Sequence, residues 1–226
     1  MMTMLQKLMQ KFILGAVICS LAGAVRADAL APDALIETTI QQIITIIKKD
    51  QDIRSGDRKK ILALVDAKVL PHFDFERMTQ LAVGKYWRTA TPQQKQELTT
   101  EFRNMLVRTY TKVFAVYQGQ TVDVKPLKKG DDAAGEVTVK TIINKPGAQP
   151  IQVSYEMKKR DAGWKVFDIS IEGVSMVMSY RGTFTTQIQQ GGIESLIKTL
   201  SKKNSSSADA DNLDKPEPKP EPKSLP

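Results

Sequence analysis

Thiol and imidazole chemistry are almost absent from this chain: among 226 residues there is one cysteine and one histidine, and aromatic side chains make up only 6%. A single imidazole rules out an HExxH zinc site, and neither a Gly-x-Ser-x-Gly nucleophile elbow nor a phosphate-cradling glycine loop occurs. Cys19 lies in the first 27 residues. A chain cleaved after that segment has no disulfide and no thiolate metal ligand, so packing alone must hold it together. Long basic runs are missing too. Lys and Arg are scattered, and the aromatics do not interleave with a basic stripe, which excludes the usual routes to nucleic-acid binding.

The N-terminal segment has an export pattern. Lys7 and Lys11 precede the apolar stretch Phe12 to Leu21, and Val25-Arg26-Ala27 places small residues where a signal peptidase needs them. The apolar run is about half of the roughly 20 residues that span a bilayer, so residues 1–27 read as a cleaved signal peptide rather than an anchor. Isoleucine at position 18 argues against lipidation of Cys19. Removing Lys7, Lys11 and Arg26 lowers the formal charge from +8 to +5. A moderately basic exported domain is drawn to anionic surfaces without being committed to one.

Residues 28–203 read as one domain. Residues 204–226, with SSSADAD followed by KPEPKPEPK, read as a disordered Ser/Asp/Lys-Pro tail whose alternate prolines favour an extended, solvated spacer. The first half of the domain is helical. Ile36, Ile40, Ile43, Ile44 and Ile47 recur at helical spacing behind Pro32, and Ile61, Leu62, Val65 and Val69 repeat the pattern up to Pro71. Asp74 caps a short helix that ends at Gly84. Thr91-Pro92-Gln93-Gln94 is a capping box with a first-turn proline, and the stripe behind it, through Val113 to Tyr117, predicts a helix of about seven turns.

At Gly119 the period changes to two. Val122 and Val124, then Val137, Val139 and Ile143, then Ile151, Val153, Tyr155 and Met157 alternate with polar residues, the pattern of antiparallel strands covered on one face. The fourth strand, Trp164 to Ile171, is apolar on both faces, which implies a central position or a bulge. Helical spacing resumes from Val174 through Val177, Tyr180, Phe184 and Ile188, and Gly191-Gly192 interrupts it before a last amphipathic helix. The expected architecture is α+β: helices packed on a curved four-stranded antiparallel sheet that closes into a cone. The stretch 69–110 carries more large apolar side chains than a thin helical layer needs to bury, and the excess implies a lined interior.

Catalytic candidates are sparse. His72, between Pro71 and Phe73, reads as a partly buried turn residue, since no nucleophile or orienting partner accompanies it. Asp168 is either a raised-pKa carboxylate or, as strand alternation predicts, a charged surface residue. No metal site and no cofactor are expected.

Three separated segments carry a family resemblance: LPHFDFERMTQLAVGKYWRTATPQQKQEL, GWKVFDISIEGVSM and YRGTFTTQIQQGGIESLIKTL. In order and spacing they resemble the MlaC family, periplasmic phospholipid-binding proteins of the Mla lipid-transport pathway, over about residues 32–202. The resemblance implies an NTF2-like cone with a deep acyl-chain pocket, a headgroup near solvent, and no covalent chemistry. It also implies shuttling between an outer-membrane MlaA–porin complex and the inner-membrane MlaD ring of an ABC transporter, which helps maintain outer-membrane asymmetry, with the carrier a monomer.

On this reading Phe73, Phe75, Met78, Leu81, Trp87, Leu106, Tyr110 and Phe114 face Val139, Val153, Tyr155, Phe167, Ile169 and Ile171 across the pocket, closed by Val174, Val177 and Tyr180. Arg77, Lys85, Arg88, Arg103 and Arg108 are the candidates for contact with a partner or a headgroup. Two other classes fit the same residues: an NTF2-like enzyme using Asp168 on a hydrophobic substrate, and a module whose apolar groove docks a partner helix.

Overall fold

Local signals in the chain account for most of the helix boundaries. The computed structural model describes residues 30–206 apart from 112, 113, 115, 116 and 118; the expected leader, the tail beyond 206 and Val113 lie outside the described residues. Helix α1 (Pro32–Lys49) has proline in its first turn. Asp50 then caps α2 (Gln51–Arg54), accepting from the amides of Asp52 at 2.9 Å and Ile53 at 3.2 Å. Asp57 caps α3 (Arg58–Lys68) through the Lys60 amide at 2.9 Å. A 3₁₀ turn, Leu70–His72, leads to α4 (Phe75–Val83), capped by Asp74 and ended by Gly84 at φ 64°.

Helix α5 (Pro92–Tyr110) opens with the expected reciprocal cap: the Gln94 amide donates to Thr91 Oγ1 at 3.2 Å and the Thr91 amide to Gln94 Oε1 at 3.0 Å. Its 19 residues make about five turns rather than seven. The apolar stripe continues past the helix, because Phe114 and Tyr117 pack against the cluster formed by α1, α2 and α3.

The sheet has five antiparallel strands in sequential order: β1 (Thr121–Val124), β2 (Glu136–Asn144), β3 (Ile151–Arg160), β4 (Gly163–Ile171) and β5 (Val174–Ser175). The fifth strand is two residues long and was not expected from the sequence. Glu172 and Gly173, at φ 50° and 80°, form the two-residue turn that folds Val174 back beside Ile171. Val174 therefore ends the sheet instead of starting the helix.

A bulge explains the two-sided apolar pattern of β4. Glu156 pairs with Asp168 but the next residue, Met157, pairs with Val166, so Phe167 has no partner and the side-chain phase inverts there. Trp164 and Val166 on one side of the bulge and Ile169 and Ile171 on the other thus share the inner face. Phe167 points to the opposite face and packs into the helical core.

Helix α6 (Met176–Ser206) is broken at Gly192, whose φ 75° and ψ 177° are far from helical values. Its last turns lie along α5. Asn204 Nδ2 reaches the Glu101 carbonyl at 2.9 Å, so the helix extends past the boundary at 203 expected from composition.

Three apolar clusters organise the interior. Helices α4, α5 and α6 make one around Phe102, Leu98 and Leu196. Ile36 of α1 makes a second with Val139, Met157, Trp164 and Val166 of the sheet. Ile47, Ile53, Ile61, Leu64 and Val65 make a third. Phe73 packs against both the first and the second.

Candidate functional site

Between the three clusters lies a cavity of about 540 Å³, within the roughly 300–1,000 Å³ of sites that enclose small molecules. Its walls come from α1 (Ile36, Ile40, Ile43, Ile44, Ile47), from the α3–α4 region (Val65, Val69, Leu70, His72, Phe73, Phe75, Met78), from α5 and its continuation (Leu106, Val107, Tyr110, Phe114, Tyr117) and from the inner face of the sheet. The sheet contributes Val122, Ile143, Ile151, Val153, Tyr155, Val166, Ile169 and Ile171. Period-two alternation puts these on one face: Val153 stands opposite Ile171, and Tyr155 opposite Ile169.

The polar groups on the wall are few. Thr39, Thr111, Gln120, Lys145 and Gln149 join the His72 imidazole and the tyrosine hydroxyls. Burial pushes the Tyr155 phenol above its ordinary value, so that hydroxyl stays neutral. His72 is held below its ordinary value, first by burial and then by the nearby Lys165 cation. Among the described residues no group of three or more His, Cys, Asp or Glu is placed to hold a metal ion.

Ten of the residues expected to face the pocket lie on this wall: Phe73, Phe75, Met78, Leu106, Tyr110, Phe114, Val153, Tyr155, Ile169 and Ile171. The other seven do not. Leu81, Trp87, Phe167, Val177 and Tyr180 belong to the core of α4, α5 and α6, where Phe102 meets Tyr180 edge-on with ring centroids 5.4 Å apart. Val139 is fully buried under α1, and Val174 is exposed on the edge strand. The isoleucine stripe of α1 was read from the sequence as a helix face only; its five members on the wall exceed what either neighbouring cluster buries, and that excess was the available signal.

None of the five candidate cations touches the cavity. Arg77 donates to Gln80 at 3.0 Å and lies 5.8 Å from the centre of the Phe167 ring. Lys85 sits 5.2 Å over Tyr86, and Arg88 is exposed. Arg103 pairs with Asp66 at 2.9 Å and covers Phe75 at 5.7 Å. Arg108 is partly buried, which lowers its pKa, with Arg58 adding repulsion. Among the described residues the one cationic side chain on the wall is Lys145, in the β2–β3 turn.

Asp168 corrects the alternation argument. It is 6% exposed rather than a surface charge. The first turn of α6 covers that face of β4: Asp168 Oδ1 accepts from the amides of Ile169 at 2.8 Å and Val177 at 3.1 Å, and Oδ2 accepts from the Ser175 hydroxyl. A carboxylate at a helix N-terminus with these donors is a cap. It faces away from the cavity, on the opposite side of the strand from Ile169.

The family model described as MlaC protein matches residues 37–202. The chain belongs to the MlaC family. A curated relative, the Toluene tolerance protein ttg2D of Pseudomonas putida, is 23% identical over 173 residues, covering 76% of this chain and 79% of that protein. The Intermembrane phospholipid transport system binding protein MlaC of Haemophilus influenzae is 22% identical over 173 residues, covering 75% and 80%. Among solved structures, the phospholipid-binding protein from Ralstonia solanacearum, determined in complex with a phospholipid at 1.53 Å, is 35% identical with a TM-score of 0.72. That match covers 79% of this chain and 99% of the Ralstonia chain.

Proposed function

We propose that this protein is a non-enzymatic phospholipid carrier of the periplasm, which holds acyl chains in the cavity and leaves the headgroup at its mouth. The observation that carries the reading is the apolar cavity of about 540 Å³ itself, walled by three helical segments and the inner face of the sheet. Membership of the MlaC family supports it, as does the phospholipid held by the Ralstonia relative. Asp168, the acid that the enzyme alternative would use, caps α6 on the other side of β4, which favours the carrier reading over that alternative.

Physics gives the reason for a carrier. Burying one methylene is worth about 0.8 kcal/mol, so exposing two chains with on the order of 30 methylenes to water costs about 24 kcal/mol. A wall nearly as apolar as a bilayer makes transfer close to neutral, so lipid moves at a docked partner and not through water. In this reading residues 1–27 are a signal peptide cleaved on export. The carrier, a monomer, exchanges lipid with an outer-membrane MlaA–porin complex and an inner-membrane MlaD ring, and so contributes to outer-membrane asymmetry.

Mass spectrometry of organic extracts from the purified, exported protein tests the reading. A near-stoichiometric diacyl phospholipid is the expected result. Lipid-free protein that self-associates through its apolar groove would instead favour a docking module, and an altered small hydrophobic product would favour an enzyme.

A further inference from the structure

We infer that Phe73, stacked on Phe75, is the floor of the cavity and sets the longest acyl chain it encloses, a specificity that rests on the carrier reading. The strands give the cavity its depth. Ile151 and Ile171, 42% and 41% exposed, stand where the wall meets solvent. From there the cross-strand pairs descend: Val153 opposite Ile171, Tyr155 opposite Ile169, and Met157 opposite Val166, which is 1% exposed. Between Ile151 and Met157 the strand advances about 20 Å.

Phe73 closes the deep end. It forms a parallel bridge to Val166 and packs against both the cluster that α1 makes with the sheet and the core of α4, α5 and α6. Its backbone is tied on two sides: the Phe73 amide donates to the Leu70 carbonyl at 3.1 Å, and the next amide, of Asp74, donates to the Val166 carbonyl at 2.8 Å. The Phe75 ring lies against it, with centroids 5.7 Å apart and planes 20° from parallel. On the far side of the two rings the surroundings change. Phe73 and Phe75 also border a polar cleft of about 530 Å³ that holds Glu76, Arg77, Lys165 and the Asp74–Arg160 ion pair. A methylene pushed past the rings would leave an apolar wall for charge and water.

Depth then decides which lipids fit. The apolar layer of one bilayer leaflet is about 15 Å thick, so chains of ordinary membrane length fill the descent as far as the rings. Longer chains leave their surplus outside the cavity. Each methylene held in water instead of against apolar wall lowers partition into the protein about fourfold.

The test equilibrates purified, lipid-stripped protein with vesicles holding equal amounts of phosphatidylglycerols whose two monounsaturated chains have sixteen, eighteen, twenty or twenty-two carbons, and counts the bound lipids by mass spectrometry. In the wild type, uptake should be level up to a break and then fall about fourfold for each methylene shut out. Phe73→Leu frees room for about one methylene and should raise uptake of the first lipid past the break about fourfold; Phe73→Ala, with room for about three, should bring that lipid level with the shorter ones. Circular dichroism confirms that each variant is folded. Phe167→Leu, on the opposite face of β4 in the helical core, should leave the break in place. Level uptake of all four lipids by the wild type, an unmoved break in folded Phe73→Leu, or an equal shift in Phe167→Leu overturns the inference and leaves the carrier reading intact. Wild-type protein that takes up none of the lipids overturns both.

Discussion

Replacing Ile169 with glutamate places a carboxyl group on the cavity wall, opposite Tyr155 and at the edge of the cluster that α1 forms with the sheet. In the empty protein the new carboxylate is hydrated by water that enters the open end. With hydrocarbon against it, the group sheds that water and takes up a proton instead of staying charged. A glutamate with an ordinary pKa of about 4.3 pays at most about 3.7 kcal/mol to be neutral at pH 7, which weakens lipid binding by about 500-fold. At pH 5 the same cost is about 1 kcal/mol, or roughly fivefold. Because lipid binding raises the carboxyl pKa, affinity is lost as pH rises and recovered as it falls. The assay follows partition of a labelled phospholipid between the protein and acceptor vesicles from pH 5 to 7.5, with circular dichroism confirming the fold and Ile169→Met as the apolar control. Folded Ile169→Glu protein with wild-type partition at pH 7 would refute the placement of this residue, and a loss that ignores pH would refute the mechanism.

Other expectations separate core from cavity. Phe102, fully buried with its ring edge-on to Tyr180 and Phe184, should cost about 3–5 kcal/mol when cut to alanine; urea unfolding measures it, and the folded fraction should keep its bound lipid. Asp168→Ala deprives the buried Val177 amide and the Ser175 hydroxyl of their acceptor, at about 2 kcal/mol, with Asp168→Asn less severe; an alanine variant as stable as the wild type would contradict the capping role. His72 has a folded-state pKa below its ordinary 6.5, through burial and then Lys165, so its contribution to stability is complete above that pH and is lost as pH falls toward the lowered value. His72→Gln should flatten the thermal-stability profile in that window, and parallel wild-type and variant profiles would show that His72 does not titrate with folding.

Patterns confined to one segment were readable in the chain because their physics is local. Pro32, Asp74, Gly84 and the Thr91–Gln94 pair set helix ends through backbone groups within a few residues. Alternation in β2 and β3 gave the inner face, and the doubled apolar pattern of Trp164 to Ile171 allowed a central position or a bulge, of which the pairing with β3 contains the bulge. The length of α5 was less legible, since the stripe through Phe114 and Tyr117 continues after the helix gives way. Asp168 misled because alternation predicts which side of a strand a residue occupies but not what packs there. In β4 the start of α6 occupies that side.

The cavity divides the two kinds of information most clearly. Composition and period determined that this chain has more apolar side chains than one compact core requires, that they sit on helices and on one sheet face, and that chemistry by paired cysteines or paired histidines is closed to it. Whether an individual member of that surplus fills a core or borders empty space was decided only when α1 crossed the sheet and α4, α5 and α6 packed together. Trp87, Val177 and Tyr180 became core, while Ile40, Ile43 and Ile44 became wall. The physical reason is that burial free energy depends on area removed from water, almost without regard to what removes it. Apolar residues destined for a neighbouring helix and for a lipid tail carry the same local pattern, and tertiary packing assigns them.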